Sequence, residues 1–252
     1  MLELQKRAQQ ILGLIDLTSL NDNDSNETIH TLCKKATTEY GSVPAICIFS
    51  RFIPVAKSTL NGKDIKIATV TNFPHGATDL ELALFETQLA IRRGADEVDL
   101  VFPYHALIAN DNNIGSNMVY EAKKICGNKT LKVIIESGEL QTPDLIKHAS
   151  EVCINNGADF IKTSTGKVKV NATLDAAKIM LNVIKQSGKP CGFKAAGGIK
   201  TVTEAVKYLE LAESIMGTEW ISSANFRFGA SGLLNDTLAI LNNTTNTTQA
   251  IY

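Results

Sequence analysis

A chain of 252 residues could form two small domains or one large one, because α/β barrels reach ~250 residues as a single unit. With 44% hydrophobic and 20% charged residues it can bury a sizeable core and is neither disordered nor fibrous. Its 25 basic and 26 acidic residues leave a net charge of −1. That excludes the basic footprint of a general nucleic-acid binder or a polybasic membrane protein, so a charged ligand must be met locally.

The five cysteines, Cys33, Cys47, Cys126, Cys153 and Cys191, are spread out, odd in number and never in a C-x-x-C pair. They read as reduced, mostly buried thiols, with neither a disulfide framework nor a zinc site. The N-terminus lacks the apolar run of a signal peptide, and no stretch approaches ~18 consecutive apolar residues, so a cytoplasmic protein is expected.

In chain order, β-rich runs occur at LGLIDLT (12–18), VPAICIF (43–49), IKIATVT (65–71), EVDLVFP (97–103), LKVIIES (131–137), FIKTST (160–165), CGFKAAGG (191–198) and NFRFGAS (225–231). Segments with helical spacing separate most of them. In residues 79–94 the expected buried stripe is Leu80, Leu84, Phe85, Leu89 and Ile91 or Ala90. Eight strands at one per ~31 residues match the ~30 needed for a strand, a helix and their loops. The expected fold is therefore a single (β/α)8 barrel over residues 1–252, with a polar, threonine-rich mobile tail at about 242–252.

An internal echo fixes the register. Gly94-Ala95-Asp96 and Gly157-Ala158-Asp159 each lead into a strand, 63 residues or two units apart, and Lys162 to Lys194 spans 32 residues or one unit. Asp99, Lys162 and Lys194 therefore fall at similar heights on the fourth, sixth and seventh strands. If Val98, Leu100 and Ile161 face the helices, strand alternation turns Asp99 and Lys162 inward, with Lys194 beside them. Charges inside apolar strands are costly unless paired. Two lysines with a carboxylate are the minimum set for Schiff-base chemistry on a carbonyl compound, the second ammonium activating the first and the carboxylate moving protons. The same spacing also fits a plain buried Lys–Asp pair with a separate surface lysine.

Glycine-rich turns follow the last three strands: Gly166-Lys167, Gly197-Gly198-Ile199-Lys200 and Gly229-Ala230-Ser231-Gly232. Loops after strands seven and eight commonly hold phosphate in barrel enzymes, through backbone N–H groups and a helix N-terminus. Lys167 and Lys200 add charge. His75 and His105 follow strands three and four but lack metal-ligand spacing.

The runs ADFIKTSTGK, GFKAAGG, EVDLVFP, TVTNFPHG and RFGAS together resemble the deoxyribose-phosphate aldolases, class I aldolases, and the likeness extends from IDLTSLND to the final tyrosine. It implies a (β/α)8 barrel that reversibly cleaves 2-deoxy-D-ribose 5-phosphate to D-glyceraldehyde 3-phosphate and acetaldehyde, in deoxynucleoside breakdown. No metal or other cofactor is implied, and the expected assembly is a homodimer.

Carried onto this chain, the resemblance makes Lys162 the Schiff-base nucleophile, Asp99 the proton donor and acceptor, and Lys194 the residue that depresses the nucleophile's pKa and relays protons. Asp16 supports the site, and Tyr252 enters it from the tail. Thr18, Cys47, Thr165, Gly166, Lys167, Gly197, Gly198, Ile199, Lys200, Gly229, Ala230 and Ser231 line the substrate site. Three positions depart from the family pattern: Ala195 where proline is frequent, Lys200 for arginine and Gly232 for serine. The first loses local rigidity, the second a bidentate fork and the third a hydroxyl.

Overall fold

Short apolar and β-branched runs bounded by turn residues become strands because a pleated backbone can bury both faces of such a run at once. In the computed structural model, which describes residues 3–244, each of the eight expected runs holds one parallel strand. They are β1 (Ile15–Thr18), β2 (Ala45–Ile48), β3 (Lys66–Thr71), β4 (Glu97–Val101), β5 (Thr130–Ile134), β6 (Phe160–Lys162), β7 (Gly192–Ala196) and β8 (Phe226–Ala230). Every strand pairs with its sequence neighbours, and β1 also pairs with β8, which closes the barrel. The (β/α)8 expectation is borne out. A small antiparallel hairpin, Thr37–Thr38 with Gly41–Ser42, lies outside the barrel and has no counterpart in the sequence reading.

Outward-facing strand residues such as Val98, Leu100, Leu131, Val133, Ile161 and Phe193 pack with the surrounding helices into one large core. At ~25 cal/mol per Å² of apolar surface removed from water, this layer supplies most of the favourable free energy of folding. A second cluster, Leu20, Cys47, Ala68 and Val70, lies on the inner side of β2 and β3, with Phe49 and Phe73 packed against it. Among the described residues, no helix is long and apolar enough to cross a membrane.

The echoed Gly-Ala-Asp triplets perform the same task twice. Gly94 and Gly157 end their helices with φ of 94° and 93°, a backbone region that glycine enters without penalty. Each aspartate then secures the preceding strand: Asp96 accepts from the Ile67 amide at 3.1 Å and Lys129 at 2.9 Å, and Asp159 from the Leu131 amide at 2.7 Å and Lys123 at 2.6 Å.

The helix expected at 79–94 forms as Leu80–Arg93, capped by Asp79 and Gly94; of the expected stripe Ala90 is buried and Leu80, Leu84 and Ile91 pack half-buried against the core, whereas Phe85 lies outside it. Ala83, Thr87 and Ala90 are its buried residues, whereas Phe85 is 59% exposed and Leu82 51%. Small side chains let the helix approach the strands closely, so the bulky residues flank the contact line.

Candidate active site

The site starts from strand register. Lys162, Lys194 and Arg227 are cross-strand partners on β6, β7 and β8, so all three side chains project the same way, into the barrel. Asp99 is the partner of Lys132 on β4 and β5, and Glu97 lies two residues below it on the same face. Asp16 enters from β1. Gly229 makes room for this packing, since a Cβ there would meet the Lys194 side chain at 3.0 Å.

The resulting network is dense. Asp99 Oδ2 accepts from both Lys162 Nζ and Lys194 Nζ at 2.8 Å, while its Oδ1 accepts from Lys132 Nζ at 2.9 Å. Asp16 accepts from Lys194 and from Arg227, each at 2.5 Å. Glu97 pairs with Lys132 and with Arg227, the latter at 3.1 Å. Lys132, Lys194, Asp16 and Asp99 are fully buried. The sequence-based trio is thus brought together and joined by Asp16. Lys132, Glu97 and Arg227 are additions to that reading.

Electrostatics fix the protonation of most of the set. Burial works to raise both aspartates, but the surrounding cations outweigh it. Lys132, Lys162 and Lys194 hold Asp99 well below the usual carboxylate range, and Lys194, Arg227 and Lys132 do the same for Asp16. Burial also works against the ammonium forms, yet Asp16 and Asp99 keep Lys194 above the ordinary lysine value, and Asp99 and Glu97 do so for Lys132. Lys194 is therefore favoured in its charged form, deep in the barrel interior.

Above this network lies a cleft of about 370 Å³ at the C-terminal ends of the strands. Of the interior lysines Lys162 alone lines it, together with Thr18, Thr165, Gly166, Lys167, Gly197, Gly198, Ile199, Lys200, Gly229, Ala230 and Ser231, all expected there. Leu20, Asn21, Lys35 and Asn235 also line it and were not foreseen. Cys47 sits instead in the apolar wall of the interior, where burial, reinforced by Asp99, pushes its thiol up. Thr18 donates its hydroxyl to its own strand, at Asp16 O. Tyr252 lies outside the described residues.

Two of the glycine loops meet at one end of this cleft. Gly166, Gly197 and Gly198 have φ of 84°, 87° and 87°, which exposes their peptide edges. The helix Val202–Met216 does not offer its N-terminus, because Glu204 accepts from the Lys200 and Thr201 amides and Asp236 from the Val202 amide. The helix Leu233–Leu241 does: its N-cap Gly232 brings no side-chain cap, and Gly232 and Leu234 face the cleft. The serine missing at position 232 would have been a competing cap. Among the described residues, no group of three or more His, Cys, Asp or Glu is placed to hold a metal ion.

One interior lysine, Lys162, thus opens into a cleft edged by glycine-rich turns and an uncapped helix N-terminus. The chain is similar to a putative deoxyribose-phosphate aldolase from Toxoplasma gondii ME49, at 25% identity and a TM-score of 0.88 over 98% of this chain and 100% of that one. It is also similar to a putative deoxyribose-phosphate aldolase from Coccidioides immitis, at 26% identity and a TM-score of 0.81 over 92% of this chain and 87% of that one. Residues 11–237 match the model of the DeoC/LacD family aldolases. With nearly the whole barrel matched, the chain belongs to the DeoC/LacD family of aldolases, lyases that make and break carbon–carbon bonds.

Proposed function

We propose that this chain reversibly cleaves 2-deoxy-D-ribose 5-phosphate to D-glyceraldehyde 3-phosphate and acetaldehyde through a Schiff base on Lys162. The observation that carries this reading is that Lys162, alone among three interior lysines, lines the cleft while sharing Asp99 Oδ2 with the charged Lys194. Four cationic groups face three carboxylates in the network. Lys194 and Lys132 each bond two carboxylates and Lys162 only one, so Lys162 is the least heavily paired of the three and the one open to the cleft.

Neutral Lys162 adds to C1 of the open-chain aldehyde, and loss of water leaves an iminium. Acetaldehyde keeps C1 and C2, so the bond that breaks is C2–C3. Its electrons move into C1=C2 and onto nitrogen, while the C3 hydroxyl gives up a proton. Asp99 is placed to accept it, directly or through water. As the iminium discharges to an enamine, one of the three cations around Asp99 disappears, so its proton affinity rises at the step that needs a base. Returning that proton to C2 restores the nitrogen's charge, and hydrolysis releases acetaldehyde.

The phosphate group is assigned to the cup formed by Gly166, Gly197, Gly198, Ser231 and the start of the helix Leu233–Leu241, with Lys167 and Lys200 at its rim. Anchoring there holds C1 at the Lys162 end, a use of remote binding energy worth several kcal/mol.

A coupled cleavage assay on 2-deoxyribose 5-phosphate, ribose 5-phosphate and fructose 1,6-bisphosphate tests the substrate. Turnover of the first alone is expected, and preference for the bisphosphate would overturn the assignment. Borohydride trapping with acetaldehyde should leave a two-carbon adduct on Lys162, and an adduct elsewhere would displace it as nucleophile.

A further inference from the structure

Strand β6 is only three residues long, yet the segment after it supplies Thr165, Gly166 and Lys167 to the cleft. What holds that segment in place comes from the end of β5. The ladder continues past the strands: the Ile135 amide donates to Lys162 O at 3.0 Å and the Ser137 amide to Thr163 O at 2.8 Å. Between those two donors sits Glu136, in a left-handed conformation with φ 54° and ψ 59° that few residues other than glycine adopt. This backbone accompanies a carboxylate turned onto the loop, within a residue that has no solvent exposure.

Every hydrogen bond of that carboxylate runs to one residue. Oε2 accepts from the Thr165 hydroxyl at 2.5 Å and from its amide at 3.2 Å, and Oε1 lies 3.3 Å from the same amide. With its proton committed to Glu136, the Thr165 oxygen accepts from the Lys167 amide at 3.0 Å. Lys167 then reaches across the cleft to Leu20 O at 2.7 Å. A carboxylate suits this position because both its oxygens only accept, whereas a carboxamide would set an NH2 donor against the Thr165 amide where Oε1 now stands.

We propose that Glu136 is a positioning residue that shapes the anion cup through Thr165 and thereby sets the preference for a phosphorylated over an unphosphorylated sugar. The proposal rests on the phosphate assignment above. Glu136 lines no part of the cleft, so its action is carried by the 165–167 segment and not by substrate contact.

Steady-state cleavage of 2-deoxyribose 5-phosphate and of unphosphorylated 2-deoxyribose by wild type, E136Q and E136A tests it. E136A should raise KM for the phosphorylated sugar about tenfold or more while kcat/KM on the unphosphorylated sugar stays within about twofold, and E136Q, which keeps one acceptor, should fall between. Retained activity on the unphosphorylated sugar also certifies that the variant is folded. A wild type that cleaves neither sugar overturns the function and this inference together. A wild type that cleaves both, with variants that lose equally on both or on neither, overturns this inference alone.

Discussion

On the β2–β3 side the barrel interior is closed by Leu20, Cys47, Ala68 and Val70, with Phe49 and Phe73 against them. On the β6–β8 side it opens into Gly166, Gly197, Gly198 and Ser231, with Lys167 and Lys200 at the edge. The residues of the first cluster carry no charge, whereas the second side sets glycine turns and two lysines beside apolar residues such as Ile199 and Leu234. Lys162 is positioned by both. Its nitrogen is bonded to Asp99, which Lys194 also bonds, and its side chain opens into the cleft. On the proposed reaction the difference divides the labour: the two-carbon end would lie against β2 and β3, and the phosphorylated end over β6 to β8.

The largest disruption is expected at the point both sides serve. Lys162→Leu removes the nucleophile and should lower turnover by about four orders of magnitude or more, with the fold retained because the remaining three cations still match three carboxylates. Cleavage kinetics beside circular dichroism measure this. Substantial residual activity would move the nucleophile elsewhere.

Below it in magnitude comes Asp16→Asn. This change leaves Lys194 and Arg227 short of a buried counter-charge and should cost about 3–5 kcal/mol of stability at neutral pH. Asp16 is held below its ordinary value of 3.8, so its contribution is complete above that pH and is lost as pH falls from there towards the folded value. The gap in unfolding free energy between wild type and D16N should therefore be constant from neutral pH down to about pH 4 and narrow below it. A gap independent of pH would mean that Asp16 acts by shape and not by charge.

The comparison also marks what could be read from the sequence. All eight barrel strands were legible because each is an apolar run ended by turn residues, and Asp99, Lys162 and Lys194 stood out as charges inside such runs. The same signal was present at Lys132 in LKVII, Arg227 in NFRFG and Glu97 in EVDLV. The echoed spacing picks out only Asp99, Lys162 and Lys194, whereas the buried network holds seven charged side chains. Other features had no sequence signal of the kind applied. The Thr37–Ser42 hairpin is too short for periodicity. The buried face of Leu80–Arg93 is set by closeness of approach, which favours Ala83 and Thr87 over Phe85. Glu136 reads as the polar end of a strand until its φ of 54° and its grip on Thr165 are seen.

A milder change probes the apolar wall by itself. Val70→Thr preserves shape but places a hydroxyl among Leu20, Cys47, Ala68, Phe49 and Phe73, at a cost of about 1–3 kcal/mol. Urea unfolding should show that loss, while KM for 2-deoxyribose 5-phosphate holds within about twofold because the phosphate side is untouched. A KM change as large as that of a cup variant would mean that the two sides are not independent.

The smallest effect should come from Lys200→Arg on the opposite side. Lys200 is exposed at the rim, and its ammonium makes no hydrogen bond or ion pair among the described residues, so it meets a phosphate as a point charge. Arginine offers a planar fork that can grip two phosphate oxygens, and at an exposed position the gain is below about 1 kcal/mol, or about two- to fivefold in KM. The improvement should appear with 2-deoxyribose 5-phosphate, vanish with 2-deoxyribose, and shrink as salt is raised, because an exposed charge is screened. Equal improvement with both sugars would place position 200 near the carbon chain. No change with either would put the phosphate beyond its reach, deeper among Gly166, Gly197 and Gly198.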